Sequence, residues 1–260
     1  MTLEAATVWM ARGGAIAAAV AALELLWVRR VMADDGAFGW PVLRRELAGA
    51  PAWLRGVADR VLAYRSTCAV LALQLAAALA LPWCAHPALP WVVFACSLAI
   101  SIRFRGAYNG GSDAMLLVVM LALGLARSAP GSRLATAGLA YAAAQLMLSY
   151  FVAGIAKLRD PAWRAGRAMA LLMALPTYRV PAWLGAVIAR PPISALASWS
   201  VLGFECGFPL AFSRPSVCTA LVISGAVFHL GNAIVFGLDR FLWTWLAAYP
   251  ALLFWVDRLT

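Results

Sequence analysis

Stretches without a single formal charge decide what this chain can fold into. Ser66 to Ile102, Leu134 to Ala156, Pro215 to Leu238 and Phe241 to Val256 carry no Asp, Glu, Lys or Arg. A bilayer crossing needs about 20 mostly apolar residues, down to about 17. The first run, broken by Pro82, Pro87 and Pro90, is long enough for two helices and a turn. Composition agrees: 64% of residues are hydrophobic and 12% charged, against roughly 25% charged in a water-soluble domain. Mean hydropathy is +0.84. The expected class is all-α, a polytopic transmembrane helix bundle of about eight spans with short interfacial amphipathic helices.

The spans are expected at about 13–31, 63–83, 89–104, 112–127, 135–157, 194–213, 215–237 and 239–256. Gly13 to Val28 holds Glu24, precedes Arg29 and Arg30 and lacks a small-x-small cleavage site, so it reads as a retained first span. The expected organisation is one integral membrane domain over residues 1–260, with no separate soluble domain. Five cysteines without a CxxC pair read as small apolar fillers. The net charge of +10 is explained by orientation and lipid head groups, not nucleic acid. Sixteen of the 21 basic residues fall in the segments after spans one, three, five and seven. The positive-inside rule puts those segments in the cytoplasm and both termini outside.

The tripeptide Pro-Ala-Trp occurs at Pro51, Pro161 and Pro181, where proline suits a helix start. Beyond Pro51, Trp53, Leu54, Val57, Val61 and Leu62 alternate with Arg55, Arg60 and Arg65. That is a basic amphipathic helix lying in the membrane interface. Arg103 to Met115 is glycine-rich without the order of a nucleotide loop; it reads as a tight turn with Ser112 as N-cap and Asp113 complementing the helix dipole. With two histidines and no HExxH, no metal is expected.

Ionisable groups at membrane depth cost about 2.5–3.5 kcal/mol near a helix centre, so each needs a partner or a purpose. Glu24 has Arg29 and Arg30 within two turns, which favours a local pair. Glu205 lies between Gly203 and Gly207, a small-xxx-small pair that permits close helix approach, and is expected to pair with Lys157 or an arginine. His229 shares a face with Asn232 and Phe236; it is either capped by a neighbouring helix carbonyl or part of a polar cluster with Asn232 in a cavity. Lys157 is the only lysine beside 20 arginines, at the end of a charge-free helix. Ala153 and Gly154 share its face, with Tyr150 a further turn back, so its stem faces packed helices. Lysine loses its proton on burial far more readily than arginine. That chemistry suits a position where the amine must titrate.

Tyr150 to Met169, Phe204 to Leu210 and Phe228 to Phe241 together resemble the HTTM domain, the membrane domain shared with vitamin K-dependent gamma-carboxylase. The most specific piece is Ala153-Gly154-x-x-Lys157-Leu158 followed by tryptophan and glycine. Ala33 to Pro41 and Arg103 to Leu117 resemble its other recurring pieces. In the carboxylase the matching lysine is regarded as the base that deprotonates vitamin K hydroquinone. Dioxygen then adds, a protein glutamate loses its γ-proton, carbon dioxide captures the carbanion, and the quinone leaves as an epoxide. Carried over by position, Lys157 and His229 would be catalytic, and Tyr150, Glu205 and Asn232 would line the cofactor site. The implied cofactor is a reduced quinone of the vitamin K or menaquinol type, and the implied partners are membrane lipids and a peptide substrate or soluble partner protein. The implied location is the bacterial cytoplasmic (inner) membrane. Three function classes remain distinct at this point: a quinol-dependent oxygenase or carboxylase-like lyase, a non-catalytic module that binds quinone or lipid or assists maturation of or immunity to a secreted peptide, and a transporter. No inverted pair of broken hydrophobic segments favours the last.

Overall fold

The computed structural model describes residues 1–104, 110–178 and 180–259. Among them are thirteen α-helices and no strand: α1 (Leu3–Trp27), α2 (Trp40–Leu43), α3 (Ala52–Val61), α4 (Tyr64–Ala80), α5 (Ala88–Phe104), α6 (Gly110–Ser128), α7 (Arg133–Arg159), α8 (Pro161–Arg164), α9 (Ala168–Met173), α10 (Ala182–Ile188), α11 (Pro191–Gly207), α12 (Pro215–Phe236) and α13 (Asp239–Leu259). Every expected span corresponds to one long helix. Five segments are long and apolar enough to cross a membrane: α1, α6, α7, α12, and α11 with the 3₁₀ turn that extends it to Phe212. The protein is an integral, multi-pass membrane protein. α5, at 17 residues, is a shorter apolar helix, and α3 and α4 form a pair bent by 68°.

α13 falls outside the five because it is an interior helix rather than a lipid-facing one. It packs on α1, α6, α7 and α12 and buries Arg240, Thr244, Trp245 and Tyr249 among its apolar side chains. A helix shielded by four others need not be uniformly apolar. The crossing with α1 is close: a Cβ on Gly13 would lie 2.8 Å from the Ala247 Cα, so only glycine fits there. α12 is the opposite case. Ile223, Val227, Leu230 and Ile234 lie exposed on its outer side, the face a membrane helix gives to lipid.

Several local expectations are corrected. α1 begins at Leu3, ten residues before the expected start, because Thr2 caps it by accepting from the Ala5 N–H at 3.1 Å and Arg12 sits exposed over the Trp9 ring. α6 begins at Gly110, so Ser112 lies inside its first turn instead of capping it. The turn expected just before it, over residues 105–109, lies outside the described residues. Arg103 and Arg240, counted among the loop cations, are buried. Arg103 donates to the carbonyls of Leu62, Met32 and Phe38, which clasps the segment between α1 and α4 onto the bundle. α3 forms as expected, with Trp53, Leu54, Val57 and Val61 exposed on its apolar side.

Candidate functional site

α7, the longest helix, starts at the Ser132 cap, whose hydroxyl accepts from Ala135 N–H at 3.2 Å. It stops at Asp160, which turns the chain and caps α8 by accepting from Ala162 N–H at 2.7 Å. Pro161 occupies the first position of α8, where its missing N–H costs nothing. Gly166 then reverses direction at φ 70°, a left-handed conformation that glycine adopts without strain. A Cβ there would also strike the Ala195 Cα at 2.7 Å. Two serines one turn apart on α11 hold the returning segment. Ser194 donates to the Gly166 carbonyl at 2.7 Å and accepts from Ala170 N–H, and Ser198 accepts from Met169 N–H, both at 3.2 Å. They satisfy the amides at the start of α9, which a helix leaves orphaned.

These contacts fold α8 and α9 across the gap between α7, α11 and α12. Beneath them is a cavity of about 280 Å³, at the lower end of the roughly 300–1,000 Å³ range of ligand pockets. Lys157, His229, Tyr150, Glu205 and Asn232 all line it. The sequence therefore picked out five residues, spread over 83 positions of the chain, that the fold brings to one cavity.

Lys157 Nζ donates to both carboxylate oxygens of Glu205, at 2.8 and 2.7 Å, and lies 5.6 Å from the centre of the Trp163 ring. The Glu205 side chain is 4% exposed and that of Lys157 28%. Of the partners open to Glu205, Lys157 is the one it takes. The close approach that allows this is on α7. A Cβ at Gly154 would stand 2.8 Å from the Cys206 nitrogen, whereas one at Gly203 or Gly207 would meet nothing within 4 Å. The small-residue contact expected of Gly203 and Gly207 is made by Gly154. Glu24 pairs with Arg240 rather than with Arg29 or Arg30, because α13 brings a buried guanidinium to it.

His229 takes neither a helix carbonyl nor Asn232 as partner. Its Nε2 lies 2.8 Å from the Tyr150 hydroxyl, which lies 2.7 Å from the Tyr249 hydroxyl. Gly225 makes room for both tyrosines: a Cβ there would be 2.3 Å from the Tyr249 oxygen and 3.0 Å from that of Tyr150. The His229 ring is stacked on Phe241 and its centre lies 5.0 Å from Trp245. Phe228 and Phe236 supply further aromatic wall. His229 Nδ1 and Trp245 Nε1 are buried with no hydrogen-bond partner among the described residues. Both residues line the cavity, while the two nitrogens themselves are fully buried.

Sequence reasoning missed Tyr249, Trp245, Ser194 and Ser198. The serine pair at i, i+4 on one face of α11 was a visible signal. Tyr249 had none, since its partner is 99 positions away.

The HTTM domain profile matches residues 132–257. Every cavity-lining residue lies inside that stretch. The segments Ala33 to Pro41 and Arg103 to Leu117, expected to share the resemblance, lie outside the matched residues. No curated protein and no solved structure matches the chain.

Proposed function

We propose that the cavity of this HTTM protein binds a reduced quinone of the vitamin K or menaquinol type and takes a proton from it through the Lys157–Glu205 pair. The carrying observation is that pair, held at the wall of an aromatic-lined cavity. The residues fit such a group. Phe228, Phe236, Phe241 and Trp245 offer flat apolar walls for a fused ring, and Lys157 and Asn232 are polar side chains in the same lining. A reduced quinone, once bound, supplies the two electrons and the acidic hydroxyl that dioxygen chemistry of this kind requires.

The chain's own part is to move a proton. A Lys157–Glu205 pair with no net charge holds one titratable proton between amine and carboxylate and can accept one more. If Lys157 is an ammonium, the proton goes to the Glu205 carboxylate; if the pair's proton sits on Glu205, it goes to the Lys157 amine. Both routes end with an ammonium at Lys157 and a neutral carboxyl at Glu205, beside an ionised ligand oxygen. We take the second route, because a guanidinium, which does not give up its proton, would serve the first as well as the chain's only lysine does. The same reading locates the protein in the bacterial cytoplasmic membrane, with support from the family resemblance.

The test uses purified protein in lipid, supplied with a reduced naphthoquinone, dioxygen and bicarbonate. Mass spectrometry then looks for quinone epoxide in wild type and Lys157→Ala. Epoxide formed by wild type alone is the expected result. No epoxide from folded wild-type protein would sink the catalytic reading and leave a non-catalytic binding module.

A further inference from the structure

α3 turns away from the line of α4 at a bend of 68°, and the bend is built into the contacts around it. The Leu62 carbonyl at its corner accepts from the Thr67 hydroxyl at 3.0 Å and from Arg103. On the polar side of α3, Asp59 accepts from the Trp40 indole at 2.9 Å and from Arg44 at 2.7 Å. Ala58 and Leu62 are buried with Trp40 in a small apolar cluster. The helix is thus held in place while Leu54, Val57 and Val61 stay exposed.

Between these residues and α5 lies a groove of about 680 Å³, which Ala99 and Ile102 line from the α5 side. Ser101 is the one polar residue among those that line it. Leu98, one turn before Ile102 on the same face of α5, is exposed as well. Apolar surface therefore continues from the groove along the outside of a bundle helix. A basic amphipathic helix lies at the boundary between head groups and acyl chains. Apolar space open at that depth is filled by an acyl chain rather than by water, which needs polar partners.

The charges beside the groove decide which lipid supplies that chain. Asp59 is already paired, and Arg55 donates to the Ala48 carbonyl at 3.2 Å. Arg60 near the end of α3 and Arg65 in the first turn of α4 bracket the bend, and both are exposed. Neither has a hydrogen bond or an ion pair with any described residue. A guanidinium takes two phosphate oxygens in parallel hydrogen bonds, whereas a zwitterionic head group brings its own cation to compete. We propose that the groove between α3 and α5 is a binding site for one anionic phospholipid, with an acyl chain in the groove and the phosphate on Arg60 and Arg65. The site shares no lining residue with the Lys157 cavity and does not rest on the quinone reading.

Native mass spectrometry of the full-length protein released from detergent micelles counts the lipids that stay bound. The probes are dioleoyl phosphatidylglycerol and dioleoyl phosphatidylcholine, which share their chains and differ in the head group. Each basic residue at a membrane surface favours an anionic lipid by about fivefold. One phosphatidylglycerol should therefore be retained, with a preference over phosphatidylcholine of about 25-fold from the two arginines. Arg60→Gln with Arg65→Gln should bring the two lipids to near parity. The same loss of charge at Arg133 and Arg214, exposed arginines outside the groove, should leave the preference in place. Equal retention of the two lipids by wild type would overturn the proposal. So would an equal loss from both double variants, which general charge attraction explains.

Ile102→Trp fills the groove and keeps both arginines. All the substituted residues are exposed, so the variants should fold, and thermal unfolding in the same detergent checks each one. Retention of phosphatidylglycerol should fall in Ile102→Trp. Unchanged retention would place the chain elsewhere and overturn the groove assignment. A lipid-independent dimer of wild type that Ile102→Trp abolishes would overturn it too, because a second copy of the chain would then be the occupant.

Discussion

Two buried or half-buried ion pairs hold this bundle together, and they are built differently. Arg240 on α13 reaches Glu24 and the Ala21 carbonyl on α1 and lies 3.6 Å from Asp113 on α6. One guanidinium thus ties three helices, and its side chain is 6% exposed. Lys157 ties only α7 to α11, through one carboxylate, at the edge of a cavity. A planar guanidinium with five donors and a permanent charge suits the multiple fixed contacts of the first site. A single amine whose proton can leave suits the second. The chain uses arginine twenty times and lysine once, and the structure puts the lysine where a lock is not what is needed.

The difference breaks first at Arg240. Removing one partner of a buried ion pair costs about 3–5 kcal/mol, because the other charge is left uncompensated. Arg240→Met should therefore lose about that much stability, read by equilibrium unfolding in detergent micelles, and most of its folded yield. Asp113→Asn in the same background should recover part of the loss, since it removes the stranded charge. A fully stable Arg240→Met would show that the guanidinium is no lock.

At the second site the expected effect is on chemistry, not folding. Lys157→Arg keeps the charge and can keep the contact with Glu205, so unfolding should change by less than about 1 kcal/mol, as for a partly exposed pair. Epoxide formation should fall by about 10²–10⁴-fold, the usual worth of a positioned acid–base group. Glu205→Gln should cause a loss of the same order while the protein stays folded, because an amide cannot hold the proton that leaves Lys157 as the free amine. If Lys157→Arg stays active, Lys157 is a second structural cation and the contrast with Arg240 disappears.

The fold class was legible because charge-free runs leave little choice in a chain this apolar. Helix identity came through at all eight spans, while starts and ends were misplaced where a cap such as Thr2 acts against composition. Lys157, Glu205, Tyr150, Asn232 and His229 could be singled out because each is polar or unusual at membrane depth, a local property. The Lys157–Glu205 pair was among the contacts expected, but those that α13 supplies from the far end of the chain were not: Arg240 to Glu24, and Tyr249 to the His229 chain. A residue that helps the site from a long interior helix carries no mark of it in its neighbours. The glycine pattern around Glu205 misled for a related reason. Spacing tells which glycines share a face but not whether a partner helix faces them.

That last point gives the smallest and sharpest test, and it bears on how the lysine pair is placed. Gly154→Ala puts a methyl 2.8 Å from the Cys206 backbone nitrogen, where no side chain can rotate away, so α7 and α11 must separate. Overpacking of this kind costs about 1–3 kcal/mol, and the shift should also loosen the Lys157–Glu205 contact. Gly203→Ala and Gly207→Ala place their methyls in open space; replacing a mid-helix glycine with alanine there should be neutral or stabilise by about 0.5–1 kcal/mol. Unfolding measurements on the three variants separate two accounts of the α7–α11 contact. Loss at Gly154 alone places the close approach on α7 and makes it the support on which the lysine stands. Loss at Gly203 would move the contact to the other face of α11, turn Glu205 away from Lys157, and remove the pair that distinguishes this site from the arginine lock.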